Sequence, residues 1–409
     1  MQSLRPRPHF VQATSRALST ASTTQSALVS AQAGRQLGRL PTAAAYSTQA
    51  FGNEHRGVGV VGSNRAPVGT TRWSHLAQRS STNQGLLGGA PKGRQRAPYS
   101  TSQQATSATA TTQPVVHDVF ETKTGTWQYV VADPSTSKAV IIDPVLDYDA
   151  ATQKISTQSA DQLLSVVKSN GYKVDMILET HAHADHITAA SYLQSRLAQT
   201  QGQKPPIGIG KRIGQVQKLF GERYRIPAEE YDGVFDKYFD DDETFNIGDL
   251  QATAIHLPGH TPDHLGYKIG DNVFCGDSVF NADIGSARCD FPGGSSNDLF
   301  RSARKLLALD PQVKIWTGHD YPPDGRGDPI PYMTVQQHRE ANKHLKDGVS
   351  ETDFVTMRNQ RDAKLAEPRL LHQSLQMNIR AGRLPKPSAH GYRMLHLPLK
   401  LGGLEWSRC

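Results

Sequence analysis

The stretch Thr180-His181-Ala182-His183-Ala184-Asp185-His186 decides how this chain is read. Before it runs Val174-Asp175-Met176-Ile177-Leu178, a short apolar run that predicts a buried strand. After it, Ile187 to Leu197 predicts a helix, with Ile187, Tyr192, Leu193 and Leu197 on the packed face. Three imidazoles and a carboxylate thus stand on a turn between a strand and a helix, a rigid place for metal ligands. Imidazole suits zinc, iron, copper or nickel, and a carboxylate adds a hard oxygen donor. A solvated loop with a capping Asp is the plain alternative, but it offers no reason for the spacing HxHxDH.

Upstream, Trp127 to Val131 and Ala139 to Pro144 predict strands, the second closed by an Asp-Pro turn. Ser159 to Ser169 predicts a helix stopped by Gly171. Downstream, short strands are expected at Pro206 to Ile209, Glu243 to Ile247, Ala252 to Leu257, Leu265 to Ile269, Val273 to Cys275 and Lys314 to Trp316. Asn297 to Leu309, Tyr332 to Leu345 and Glu351 to Leu365 predict helices, and the tail from Pro385 is expected to wrap the surface. Ligand-type residues recur where strands end. His260 follows Gly259, Asp277 follows Gly276, and His319 follows Gly318. With His181, His183, Asp185 and His186 they make seven groups that could hold two metals, or one metal with hydrogen-bonded neighbours.

The order THAHADH, GHT, GD and GHD resembles the metallo-β-lactamase superfamily over roughly 115–326. The resemblance implies an α+β fold class: a four-layer αβ/βα sandwich, the metal site at one edge between two sheets, with a C-terminal helical extension. Two branches are similar to it, the binuclear thioester hydrolases of the glyoxalase II type and the mononuclear iron persulfide dioxygenases. Asp283 to Gly294, with Arg288 before Cys289-Asp290-Phe291, resembles the dioxygenase branch, as do Ala184 to Ala190, His319-Asp320-Tyr321 and Asn378 to Gly382. Ser286 departs from it, since some dioxygenases carry Cys there. No stretch resembles a rhodanese-like domain.

The dioxygenase resemblance implies one Fe(2+) per chain on His181, His260 and Asp277, with His183, Asp185, His186 and His319 orienting ligands and bound water. Two imidazoles and one carboxylate leave open positions on the metal. It implies oxidation of glutathione persulfide by O2 to sulfite and glutathione in mitochondrial sulfide catabolism, with Arg288 and Tyr321 binding substrate. A salt bridge from Arg288 to Asp290 and simple packing of Tyr321 are the structural alternatives. The hydrolase resemblance implies two Zn(2+) per chain, one on His181, His183 and His260, the other on Asp185, His186 and His319, bridged by Asp277. Cys275 and Cys289 read as packed small hydrophobes, and His256 and His264 as structural.

Residues 1–112 carry many basic residues and a single acidic one, Glu54, so the overall net charge of +7 comes from the head of the chain and argues no nucleic-acid partner. This segment resembles a mitochondrial targeting sequence, implying location in the matrix. The expected division is 1–112 targeting or linker, 113–326 metal-binding domain and 327–409 helical extension. No apolar run is long enough to span a bilayer, so no membrane insertion is expected. Three sparse cysteines make no disulfide framework and point to a reducing compartment. A homodimer is compatible with all of this.

Overall fold

The computed structural model describes residues 113–403. The segment read as a targeting sequence lies outside the described residues. In chain order the strands and helices are β1 (Val115–Glu121), β2 (Thr126–Ala132), β3 (Lys138–Ile142), β4 (Val145–Asp149), β5 (Lys154–Ser156), α1 (Gln158–Ser169), β6 (Lys173–Leu178), β7 (Ile187–Thr188), α2 (Ala190–Gln201), β8 (Ile207–Gly210) and α3 (Ile213–Tyr224). The second half contributes β9 (Lys237–Phe239), β10 (Glu243–Ile247), β11 (Leu250–His256), β12 (Leu265–Ile269), β13 (Asn272–Phe274), α4 (Ser296–Leu307), β14 (Lys314–Trp316), β15 (Tyr332–Thr334), α5 (Val335–Ala341), α6 (Glu351–Asp362) and α7 (Leu371–Asn378).

The strands form two six-stranded sheets, ordered β1-β2-β3-β6-β8-β9 and β10-β11-β12-β13-β14-β15, with a small β5-β4-β7 sheet beside them. Side-chain alternation along the strands produces the layers. In β2, Trp127, Tyr129 and Val131 enter the core between the two sheets, while Val130 and Ala132 enter the core under the helices. In β3, Val140 and Ile142 face the other sheet, and Ala139 and Ile141 face the helices. Such strands are apolar on both faces, which is why they read as continuous apolar runs. A third core lies outside the second sheet, where α4 presents Leu299, Phe300, Ala303, Leu306 and Leu307. Each fully buried Leu or Phe of that stripe is worth roughly 1.5–3 kcal/mol. Ser295 starts α4 by accepting the Asp298 N–H, a cap worth about 1 kcal/mol. The result is helix, sheet, sheet, helix, the expected four-layer sandwich.

The structure corrects three local expectations. Ile187 and Thr188 are not the first turn of a helix: they pair with Leu146 and Val145, and the helix starts at Ala190. Both side chains are β-branched and suit a strand, and the Thr188 hydroxyl receives the Ala190 N–H. Tyr332 to Leu345 is not one helix, since Tyr332–Thr334 joins the second sheet against β14. A Thr334–Gln337 capping box then opens α5, and Asn342 ends it by turning its side-chain oxygen onto the N–H groups of His344 and Leu345. Helices α3 and α7 were not foreseen; both bury residues in the first core, Phe220 and Leu375 among them. The segment after 326 therefore completes a sheet and a core, beyond packing on the surface as a helical extension.

Candidate metal centre

The histidine loop leaves the buried end of β6 and is held from three directions. The Leu265 N–H reaches the Thr180 carbonyl at 2.8 Å, and Asp263 Oδ2 accepts the Ala182 N–H at 2.9 Å. From α7, Asn378 donates to the carbonyls of His183 and His186 at 2.7 and 2.8 Å and accepts the Thr188 N–H at 2.9 Å. Asp277 is placed by its own N–H, which donates to His264 Nε2 at 2.9 Å. Gly318 passes so close that a Cβ there would stand 2.5 Å from Asp277 Oδ1.

Hydrogen bonding sets the tautomers. His260 Nδ1 lies 2.7 Å from the Arg288 carbonyl, which only accepts, so Nδ1 carries the proton and Nε2 is bare. Thr180 Oγ1 donates to Asp143 Oδ2 at 2.8 Å, so it accepts from His181 Nδ1 at 3.0 Å and leaves His181 Nε2 bare. His319 Nδ1 faces the Gly125 carbonyl at 3.2 Å, which leaves its Nε2 toward Asp185 Oδ2 at 3.2 Å and Asp277 Oδ2 at 3.5 Å. Bare imidazole nitrogens of His181 and His260 thus converge on the Asp277 carboxylate, a donor set that suits a cation, while burial opposes charging His319 but Asp277 and Asp185 raise its pKa.

Several of these buried atoms have no hydrogen-bond partner: His181 Nε2, His183 Nδ1, His186 Nε2 and Asp277 Oδ1. An unpartnered buried polar atom costs about 1–3 kcal/mol, so the orphans on His181 and Asp277, which the fold brings together, fit a metal site. Burial, with neighbouring imidazoles, holds the His181 pKa well below its usual value, keeping it the neutral donor a metal needs.

The structure brings His181, His260 and Asp277 together, one ligand atom from each within 4.8 Å of the others. A second set of the same tightness is Asp185, Asp277 and His319, sharing Asp277 with the first. His183 belongs with neither. Its Nε2 lies 3.1 Å from Asp143 Oδ1 and 3.3 Å from Glu179 Oε2, and its ring also groups with Asp185 and His186. Burial resists charging His183, but the two carboxylates outweigh it and raise its pKa. Asp143, Glu179 and Asn378 are parts of the site that reading the residues singly missed. Asp143 looked like a strand-ending turn residue, and Asn378 was marked only by the resemblance of Asn378 to Gly382 to the dioxygenase branch. His264, read as structural, is so in a useful place: its ring stacks on His181 at 4.8 Å while it holds Asp277. Buried Cys275 and Cys289 have thiol pKa values pushed up to about 12 and are packed, as expected.

Beside these ligands opens a cavity of about 440 Å³, whose wall includes Asp185, His260, Asp277, Phe280 and His319, with exposed Lys123, Arg361 and Arg369 toward its mouth. Tyr321 lies on this wall, stacked on His319 at 5.6 Å. Arg288 also lines it, but its guanidinium grips Asp290 at 2.5 and 2.6 Å and the Ala366 carbonyl at 3.0 Å. Of the two expectations for Arg288, the salt bridge to Asp290 is the one this structure contains.

A metallo-beta-lactamase superfamily model matches residues 122–319, which hold all seven ligand-type residues. The chain is 43% identical over 286 residues to a Dictyostelium discoideum protein named glyoxylase B2, covering 69% of this chain and 96% of that one. The chain belongs to the metallo-β-lactamase superfamily. It is also 26% identical over 277 residues to the mitochondrial persulfide dioxygenase ETHE1 of Bos taurus, covering 67% of this chain and 91% of the relative. A crystal structure of ETHE1 from Myxococcus xanthus superposes with a TM-score of 0.52 at 23% identity, over 66% of this chain and all of that one, which confirms the fold. His181, His260, Asp277, Asp185 and His319 form the candidate metal site of this chain, all within the matched residues.

Proposed function

We propose that this chain is a non-haem iron enzyme that oxidises a persulfide of glutathione with O2. The balanced reaction takes one persulfide, one O2 and one water to one thiol and one sulfurous acid, released as sulfite. The observation that carries the reading is the separate three-ligand group of His181, His260 and Asp277, from which His183 is drawn away by Asp143 and Glu179. Two neutral imidazoles and one carboxylate suit Fe(2+) with open positions, and iron, unlike zinc, supplies the redox chemistry that O2 requires.

The chain's own groups account for the rest. Thr180 and the Arg288 carbonyl fix the ligand tautomers, so both imidazoles present a lone pair. Asp185 and His319 form a polar pair beside the ligands, placed to orient a water or carry its proton. The exposed cations at the cavity mouth favour the carboxylates of a glutathione-type substrate. Delivery to the mitochondrial matrix by residues 1–112 belongs to the same proposal.

A second reading, a thioester hydrolase with two metal ions, is favoured by the Asp185–Asp277–His319 group and by the name of the Dictyostelium relative. The two are separated by metal analysis of freshly purified protein, followed by oxygen uptake with glutathione persulfide and hydrolysis of a glutathione thioester. One iron per chain with persulfide-dependent oxygen uptake and sulfite release is expected. Two zinc ions with thioester hydrolysis and no oxygen uptake establish the hydrolase instead.

A further inference from the structure

Ser286 lies on the wall of the metal cavity, 5% exposed, with His344 behind it. Its main-chain N–H points at His344 Nδ1 at 3.1 Å, and its hydroxyl lies 3.2 Å from the same nitrogen. Its carbonyl accepts from Arg358 at 3.3 Å. A peptide N–H can only donate, so His344 Nδ1 is an acceptor and the ring proton sits on Nε2. The Ser286 hydroxyl, 3.2 Å from that nitrogen, can share the same lone pair as a second donor. In that orientation its oxygen keeps lone pairs free to accept from a ligand in the cavity.

This polarity is held by the fold. Gly285, at φ +102°, is where a Cβ would overlap the His344 ring, so only glycine lets the imidazole reach the loop. Buried Asn342 donates to the carbonyls of Phe280 and Gly285 while accepting from the N–H groups of His344 and Leu345, tying the loop to the segment that carries the imidazole. Burial, reinforced by Arg358, Arg361 and Lys343, brings the His344 pKa down to about 4, so the ring stays neutral near neutral pH.

We infer that Ser286, oriented by His344, is a binding residue that accepts a hydrogen bond from an amide N–H of a cysteine-derived substrate whose sulfur sits at the metal. The inference rests on the proposed thiol-peptide substrate and adds the group that distinguishes a peptide thiol from a simple alkyl thiol. In such a substrate the cysteinyl N–H stands three bonds from the sulfur, so a sulfur at His260 and Asp277 brings an amide to the adjoining wall. A fixed acceptor there rewards an amide donor and gives nothing to a chain without one.

The test compares wild type, Ser286→Ala and Ser286→Thr, each checked for metal content and circular dichroism, on glutathione persulfide and on the amide-free persulfide of 3-mercaptopropionate. Ser286→Ala is expected to lose roughly three- to ten-fold in kcat/KM on the glutathione substrate alone. Ser286→Thr, which keeps the hydroxyl, is expected to restore it. Equal losses on both substrates, or no loss on either, overturn the inference. If wild type takes up no oxygen with either persulfide, the proposed reaction fails, and the inference is then read from calorimetric binding of glutathione and of 3-mercaptopropionate to the metal-loaded protein. Ser286→Ala must weaken glutathione alone; equal affinities for the variant and wild type overturn it.

Discussion

Asn378 donates its side-chain amide to the carbonyl of His183 at 2.7 Å, across 195 positions of sequence. The same side chain serves His186 and Thr188, so α7 acts as the clasp of the metal-binding loop. Replacing Asn378 with Ala leaves three buried main-chain groups without partners, at about 1–3 kcal/mol each, so roughly 3 kcal/mol or more in all. The expected outcome is a lower unfolding temperature together with reduced metal occupancy, read by calorimetry and elemental analysis. Full occupancy at an unchanged unfolding temperature would remove α7 from the account of the site.

Asp277 belongs to both three-ligand groups, whereas Asp185 belongs to only one of those two. Asp277→Ala is therefore expected to abolish metal binding. Asp185→Ala is expected to keep one metal while activity falls roughly ten- to a hundred-fold, the usual effect of removing a group that orients a ligand or bound water. If the wild type holds two equivalents and Asp185→Ala holds one, Asp185 is itself a ligand and the binuclear reading is correct.

Arg288 and Asp290 form a partly exposed bidentate pair, so their contribution to stability should be modest and shared. Each single alanine variant is expected to lose about 1 kcal/mol, and the double variant little more than either alone. Urea unfolding of the four proteins measures this. Strict additivity of the two losses means that the pair contributes nothing as a pair. A rise in KM on Arg288→Ala without a rise on Asp290→Ala returns the side chain to the substrate.

His338 is buried in α5 with its Nδ1 against the Asn342 amide, and burial brings its pKa from 6.5 to about 4. The unfolded chain takes up a proton below about pH 6.5 and the folded chain does not until about pH 4. Stability therefore falls with falling pH through that window, by about 1.4 kcal/mol per pH unit for this one group. Between pH 7 and pH 5 the wild type should lose about 2 kcal/mol more than His338→Asn. Parallel losses in the two proteins, measured by urea unfolding at each pH, would mean that His338 is charged in the folded state or already neutral in the unfolded one.

Much of the site was legible in sequence because each ligand follows an apolar strand and sits in a short polar turn. HxHxDH, GH, GD and GHD are local patterns, and strand ends are where a sandwich gathers its loops. The seven donors could be listed on that basis, the grouping of His181, His260 and Asp277 followed from the resemblance, and the apolar runs of β2, β3 and β6 marked strands. The local signal failed where a tertiary partner decided the outcome. Ile187 and Thr188 carry a helical pattern forward from the loop, but Val145 and Leu146 were available to pair with them. For Arg288 the sequence offered both a substrate and Asp290 as partners, and the structure shows the salt bridge to Asp290.

The sequence by itself determined the donor set, the strand ends that carry it and the apolar periodicity that makes two sheets and their helices. Only the tertiary structure decided which donors converge. Imidazole direction depends on the partner of the other ring nitrogen, and those partners, Thr180 for His181, Asp143 and Glu179 for His183, Arg288 for His260 and Gly125 for His319, mostly come from distant parts of the chain. Residue types say what can bind. The second hydrogen bond on each ring, available only after the sheets have met, says where each lone pair points.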